Sequence, residues 1–364
     1  MGSAGAIATP HYLATASGQK ALDEGGSAVD AMIASAAVLA VVYPHMTGLG
    51  GDSWSIIRTA SGETLTINGT GMHPRGVDVD QIRAGYGDAM PLSGAASSPV
   101  PGAVKAWSAM HGMAGKLDWS FLLEDAIALA NNGVAVAEAL GRDLEQLWTE
   151  ISADPGIRDT FSSGSSGPKQ AGDALVQPAL AGSLRAIAQL GPEQFYSGAL
   201  AARLVAGMRA LGSVVTEDDF AQQEPDIAPA LSTEFRGHLV STAPPNSQGF
   251  TLLQILRVIE RGGLSLDDPE SLGTVATLFS RGNTEREAHL ADPRFSERDI
   301  ESLFSDEYVE AMVASARSGD SSDTASLPRA SGDTIGIAAI DSNGLAVSSL
   351  HSIFYAFGAK VMDP

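Results

Sequence analysis

Apolar residues recur at helical spacing over residues 10–24 and stop at Gly25-Gly26, so the pattern predicts a first helix there. A second stretch, 31–43, is apolar nearly all round, follows Ser27-Ala28-Val29-Asp30 and ends at Pro44. A helix without a polar face has to be buried. The glycine loop Thr47-Gly48-Leu49-Gly50-Gly51-Asp52 comes next, and 53–58 and 63–68 then read as two strands joined at Ser61-Gly62. Residues 69–175 read as mostly helical with loops, including helices after Pro101-Gly102 and over 121–130, and a Ser/Gly-rich surface loop at 162–168. Further helices are expected over 179–190, 199–211 and 250–260, a strand pair over 232–242, and acidic helical segments across 265–317.

At residue 318 the pattern changes. Ser318-Gly319-Asp320-Ser321-Ser322-Asp323 is polar, and 318–333 reads as an exposed linker or processing segment. Alternating apolar positions then run over 335–340 and 345–350, around Asp341-Ser342-Asn343-Gly344. Asn-Gly between two alternating runs is the strongest short hairpin signal. Centring the turn on Asn343-Gly344 sets Thr334 opposite residues 351–353, so His351 and Ser352 lie across from it. A hydroxyl at 352 could then hydrogen-bond Thr334.

Composition narrows the chemistry. The 364 residues are 44% hydrophobic and 18% charged, which suits a large globular chain of one or two domains. A net charge of −21 offers no basic excess to neutralise phosphates, so neither nucleic acid nor an anionic membrane is an expected partner. With no cysteine, disulfides, thiolate metal sites and a Cys nucleophile are excluded. The seven histidines show no metal-ligand spacing, and no metal or other cofactor is expected. The N-terminus lacks the basic and apolar regions of a signal peptide, which points to the cytoplasm, or to the periplasm or secretion if a leader has been removed.

Ser17-Gly18-Gln19-Lys20 fits an SxxK pattern without its SDN and KTG partners, and Gly48-Leu49-Gly50-Gly51 follows a helix rather than a strand, as a tight turn would. Asp333-Thr334 stands apart, because Thr334 opens a strand directly after the polar segment. An N-terminal nucleophile needs that placement. Its hydroxyl attacks the preceding carbonyl, an N→O acyl shift follows, and hydrolysis of the ester frees the α-amine. With an ordinary pKa of about 7.7–8.0, that amine can serve as general base without a histidine. Spacing alone leaves a plain turn before a strand as the competing reading.

Several ordered stretches resemble the γ-glutamyltranspeptidase family over essentially the whole chain. They are Gly25-Gly26-Ser27-Ala28-Val29-Asp30-Ala31, Tyr43-Pro44-His45-Met46-Thr47-Gly48-Leu49-Gly50-Gly51, Val100-Pro101-Gly102, Gly191-Pro192-Glu193-Gln194-Phe195-Tyr196, Pro244-Pro245-Asn246-Ser247-Gln248-Gly249, and Asp333-Thr334 with its hairpin. The resemblance implies an α/β (α+β) fold, a four-layer αββα sandwich of the N-terminal nucleophile hydrolase type, made as a proenzyme and cut between Asp333 and Thr334. Residues 1–333 would form the large subunit and 334–364 the start of the small one. Ser352 falls where the family has a Thr supporting the nucleophile. Thr70 stands where its transpeptidases carry an Arg that holds the donor α-carboxylate, and Phe354 stands where they carry an Asn. Threonine cannot replace a bidentate cation.

The resemblance also implies a longer nucleophile segment, with a Ser-Ser substrate motif and a Gly-Gly oxyanion hole beyond Pro364. On that reading the sequence lacks much of the C-terminal half of the sandwich, leaving a sheet edge and an apolar face exposed. The leading expectation is a self-processing threonine amidohydrolase or acyltransferase acting on a small acyl-amide, divergent from the γ-glutamyl enzymes, with large and small subunits assembled as a heterodimer or higher oligomer. An inactive ligand-binding member, a true γ-glutamyl hydrolase or transpeptidase, and a C–C-cleaving relative are the alternatives.

Overall fold

The computed structural model describes residues 5–164, 167–265, 267–296, 299–317 and 334–362. Contacts divide the chain into two units, Met1–Glu63 with Ile67–Asp226 and Ser331–Pro364, and Thr64–Thr66 with Ile227–Ala330. The expected linker 318–333, and Asp333 with it, lies outside the described residues.

The strands in chain order are β1 Gly5–Ala8, β2 Asp52–Arg58, β3 Thr64–Gly69, β4 Val134–Ala135, β5 Ala174–Leu175, β6 Asp226–Pro229, β7 Leu231–Phe235, β8 His238–Thr242, β9 Thr334–Asp341 and β10 Ala346–Ser352. The sheet of the first unit runs β1-β9-β10-β2-β3, with antiparallel pairing of β1 with β9, β9 with β10 and β10 with β2. Residues far apart in sequence therefore build one surface, and β9–β10 sits inside it.

Helices α1, Tyr12–Asp23, and α2, Ala28–Val42, pack on one another. A capping box starts α2: Ser27 Oγ accepts from Asp30 N while the Asp30 carboxylate accepts from Ser27 N. Every residue of α2 is buried, as its unbroken apolar surface requires. The helix packs on the inner face of β9, where Ile335, Ile337 and Ala339 alternate with outward-facing Thr334, Gly336 and Ala338. Burial of each such Ile contributes about 1.5–3 kcal/mol, which also fixes the register, because a one-residue slip would turn the row to the other face.

The first unit also holds helices Glu138–Ile151 and Pro155–Phe161, inside a region that the sequence pattern assigned only as mostly helical. Asp154 caps the second, Pro155 occupies its first turn, and Phe161 meets Phe357 edge-on at 5.8 Å. The expected surface loop is closed by a bridge between Ser162 and Pro168.

The second unit packs helices Gly249–Gly262, Pro269–His289 and Asp306–Arg317 around Ile255, Val258, Leu278, Val309 and Met312, with the β7–β8 hairpin. Its cavity of about 550 Å³ is lined by charged groups already engaged with one another, such as Arg257 with Asp306 at 3.0 Å.

Candidate functional site

The hairpin register resolves the expected window of 351–353 to one residue: Thr334 pairs with Ser352. Asp341 fixes the turn, its Oδ1 accepting from Asn343 N at 2.8 Å and Leu345 N at 3.2 Å. Thr334 Oγ1 donates to Ser352 Oγ at 3.1 Å, and Phe354 N donates to the same oxygen at 3.0 Å. Thr334 is exposed and Ser352 half-buried, so the pair faces outward from the sheet.

On its other side Ser352 pairs with Asp52. Opposed residues of antiparallel strands point to the same face, so Thr334, Ser352 and Asp52 form one row across β9, β10 and β2. The next row on that face, Gly336, Leu350 and Trp54, is apolar. Gly336 has no side chain, and the surface dips to form a cavity of about 260 Å³ lined in part by Ala8, Gly336, Ala338 and Leu350.

Two glycines let the loops close on this row. A Cβ on Gly51 would collide with Ser352 O, and one on Gly71 with Val100 O. Gly51 O accepts from Gly102 N and Ala103 N at 3.2 and 3.0 Å. Gly71 N donates to Asp52 Oδ1 at 3.1 Å. Thr70 precedes this contact, its Oγ1 donating to Asn68 Oδ1 at 2.8 Å, while Gln223 Nε2 donates to Thr70 O at 3.2 Å. The side chain at the expected carboxylate-binding position is thus tied back to its own strand. Phe354 is exposed, has a φ of 76° and lies 4.5 Å from the Tyr355 ring.

Asp52 keeps partial access to solvent, but surrounding protein crowds its carboxyl. Burial pushes its pKa up to about 6, with the Gly71 hydrogen bond pulling the other way. A folded-state pKa above the unfolded value of 3.8 means that the carboxyl favours folding only while protonated, and that this contribution is lost as pH rises through about 6. Asp52→Asn is therefore expected to stabilise the protein by about 1–2 kcal/mol at pH 7.5, after discounting for solvent access, and by almost nothing at pH 4. Urea denaturation at the two pH values checks this; equal gains at both would refute the titration account.

Beneath the row lies a buried chain of polar groups. Trp107 Nε1 donates to His351 Nε2 at 2.7 Å, Ser349 Oγ is 3.4 Å from His351 Nδ1, and Ser55 Oγ is 2.7 Å from Ser349 Oγ. The Trp107 bond leaves the imidazole proton on Nδ1. Burial lowers the His351 pKa to about 3, so the ring is neutral. It faces inward, away from Thr334, and its role is to hold β10 in place.

Asp52 was not among the residues singled out from sequence. Thr47–Asp52 read as a glycine loop, and nothing local to it reveals that β2 pairs with a strand some three hundred positions later. Among the described residues, no group of three or more His, Asp or Glu is placed to hold a metal. No described helix is long and apolar enough to cross a membrane.

Residues 14–364 match the family model described as gamma-glutamyltranspeptidase. The glutathione hydrolase-like YwrD proenzyme of Bacillus subtilis is 36% identical over 360 residues, covering 98% of this chain and 68% of that protein. The oxamate amidohydrolase proenzyme of Klebsiella pneumoniae is 34% identical over 372 residues, covering 99% and 69%. Among solved structures, a cephalosporin acylase from Bacillus halodurans superposes with a TM-score of 0.86 at 27% identity, covering 99% of this chain and 67% of that one. The Helicobacter pylori γ-glutamyltranspeptidase gives 0.81 at 27% identity, covering 86% and 92%. The chain thus spans about two thirds of the curated relatives' length.

Proposed function

Since this chain belongs to the γ-glutamyltranspeptidase family, we propose that it is a proenzyme which cuts itself between Asp333 and Thr334 and then uses Thr334 as the nucleophile of an amide hydrolase or acyltransferase. The observation that carries this reading is the 3.1 Å hydrogen bond between Thr334 and Ser352 at the start of β9, on the open face of the sheet.

In maturation, Thr334 Oγ1 attacks the carbonyl carbon of Asp333. The Asp333–Thr334 C–N bond breaks as the acyl group moves to oxygen, and water hydrolyses the ester to leave a carboxylate and a free α-amine. In turnover that amine takes the hydroxyl proton and Oγ1 attacks the substrate amide carbon. The tetrahedral intermediate collapses, the leaving amine departs with a proton, and water or a second amine releases the acyl group from Thr334. Ser352, fixed by Phe354 N, accepts from the Thr334 hydroxyl and orients it.

The substrate in this reading is a small acyl-amide other than a γ-glutamyl compound. Thr70 brings no cation, its hydroxyl is committed to Asn68, and Phe354 places an exposed ring where a polar amide would be needed. Both sides of the cleavage point would remain one body, because β9 and β10 pair with β1 and β2 from the other side of the cut. The mature protein is thus a heterodimer of large and small subunits, with the present sheet as one of the two central layers of an αββα sandwich. Intact-mass analysis tests the proposal: two chains are expected, the second beginning at Thr334. A single uncleaved chain that still hydrolyses amides would overturn it.

A further inference from the structure

We propose that Asp52 is a specificity-determining residue which selects acyl groups carrying a hydrogen-bond donor, above all an ammonium, at their far end. The inference rests on the Thr334 reading above and adds the class of acyl group that the nucleophile receives.

The row Thr334–Ser352–Asp52 crosses three adjacent strands. At about 4.8 Å per strand spacing, the two end residues stand about 10 Å apart at their α-carbons. A reacting carbonyl carbon sits about 3 Å from the attacking hydroxyl, and a donor sits about 3 Å from the carboxylate that receives it. What remains is bridged by a stem of about two or three bonds laid along the row, over Ser352. The row thus offers a nucleophile at one end and a carboxyl at the other.

The charge at that end has one sign. Asp52 forms no ion pair with any described Lys or Arg, its Oδ1 is held by Gly71 N, and its Oδ2 has no hydrogen-bond partner among the described residues. With its carboxyl crowded by protein, the group carries a desolvation cost that a bound donor would offset. Above pH 6 it is mostly ionised and repels an acyl group that ends in a carboxylate. Gly51 lies too close to Ser352 O, and Gly71 too close to Val100 O, for a Cβ at either position, so the residue before Asp52 and the donor to its carboxylate both sit on constrained backbone.

Three amides of matched length separate the terminal group from everything else: β-alaninamide, ending in ammonium, butyramide, ending in methyl, and succinamate, ending in carboxylate. Ammonia release by the mature full chain at pH 7.5 gives kcat/KM for each. The expected order is β-alaninamide, then butyramide, then succinamate. Removing the charge in Asp52→Asn should shrink the ratio of the first to the third by roughly 10–100-fold, most of it in KM, while butyramide changes less than about threefold. Asp52→Ser, lacking the charge but differing in shape, should shrink the ratio likewise; cleaved fraction and mass are measured first for each protein. If butyramide turns over while the ratio is the same in wild type and both variants, or if wild type prefers succinamate, Asp52 is not the selector and the nucleophile assignment stands. If no amide turns over and no acyl adduct forms on Thr334, the nucleophile assignment fails and the selector falls with it.

Discussion

Thr334→Ala should leave the precursor as one uncleaved chain and lower amide hydrolysis by at least about 10³-fold, because the proposed mechanism assigns self-cleavage and turnover to the same oxygen. The two losses have a common cause but separate readouts. Mass analysis follows the cut, and ammonia release follows turnover. Thr334→Ser keeps the oxygen and loses the γ-methyl. It should still cleave, more slowly, and retain measurable turnover. Ser352→Ala removes the acceptor that Thr334 Oγ1 uses and leaves Phe354 N without its 3.0 Å partner, so partial loss of both activities is expected, about 10–10²-fold. A Thr334→Ala protein that cleaves and turns over normally would remove the nucleophile assignment altogether. The substitution spares the fold: Thr334 is exposed, and the inward neighbours that anchor β9, Ile335 and Ile337, are untouched.

The hairpin was legible because its information is local. Asn343-Gly344 sets the turn, alternation sets the inward face, and the two together bring Ser352 opposite Thr334 with no knowledge of the remaining fold. The buried helix Ala28–Val42 was legible for a similar reason, since an unbroken apolar surface has one destination. What escaped was set by pairing at long range. Asp52 joins the row only because β2 lies against β10, and that choice depends on the whole sheet order. The buried chain from Trp107 through His351 to Ser55 is of the same kind, three elements meeting under the sheet. The family resemblance located Thr70 and Phe354, but the commitment of the Thr70 hydroxyl to Asn68 is a feature of the folded loop.

The same buried groups give the protein a sensitivity to mild acid. Between pH 7 and pH 5 the titration of His351, His45 and Asp52 together should cost wild type about 3 kcal/mol of stability, read as a fall in the urea midpoint, with the burial-lowered His11 and His73 acting in the same sense. The sign follows from the imidazoles. Burial lowers His351 from 6.5 to about 3 and, with some help from Arg142, lowers His45 to about 4. Each ring is neutral in the folded state and takes up a proton in the unfolded state once pH drops below 6.5. The unfolded chain then binds more protons, and stability falls by about 2 kcal/mol per ring by pH 5. Asp52 works in the opposite sense, since its raised pKa relieves a burial cost as it protonates, returning about 1 kcal/mol over the same range. His351→Gln isolates one contribution. The amide offers Trp107 an acceptor but does not titrate, so the variant should start less stable at pH 7, through imperfect packing, and lose about 2 kcal/mol less than wild type on the way to pH 5. An unchanged pH slope in His351→Gln would mean that His351 does not stay neutral in the folded state, and with that the tautomer assigned from the Trp107 hydrogen bond would fall.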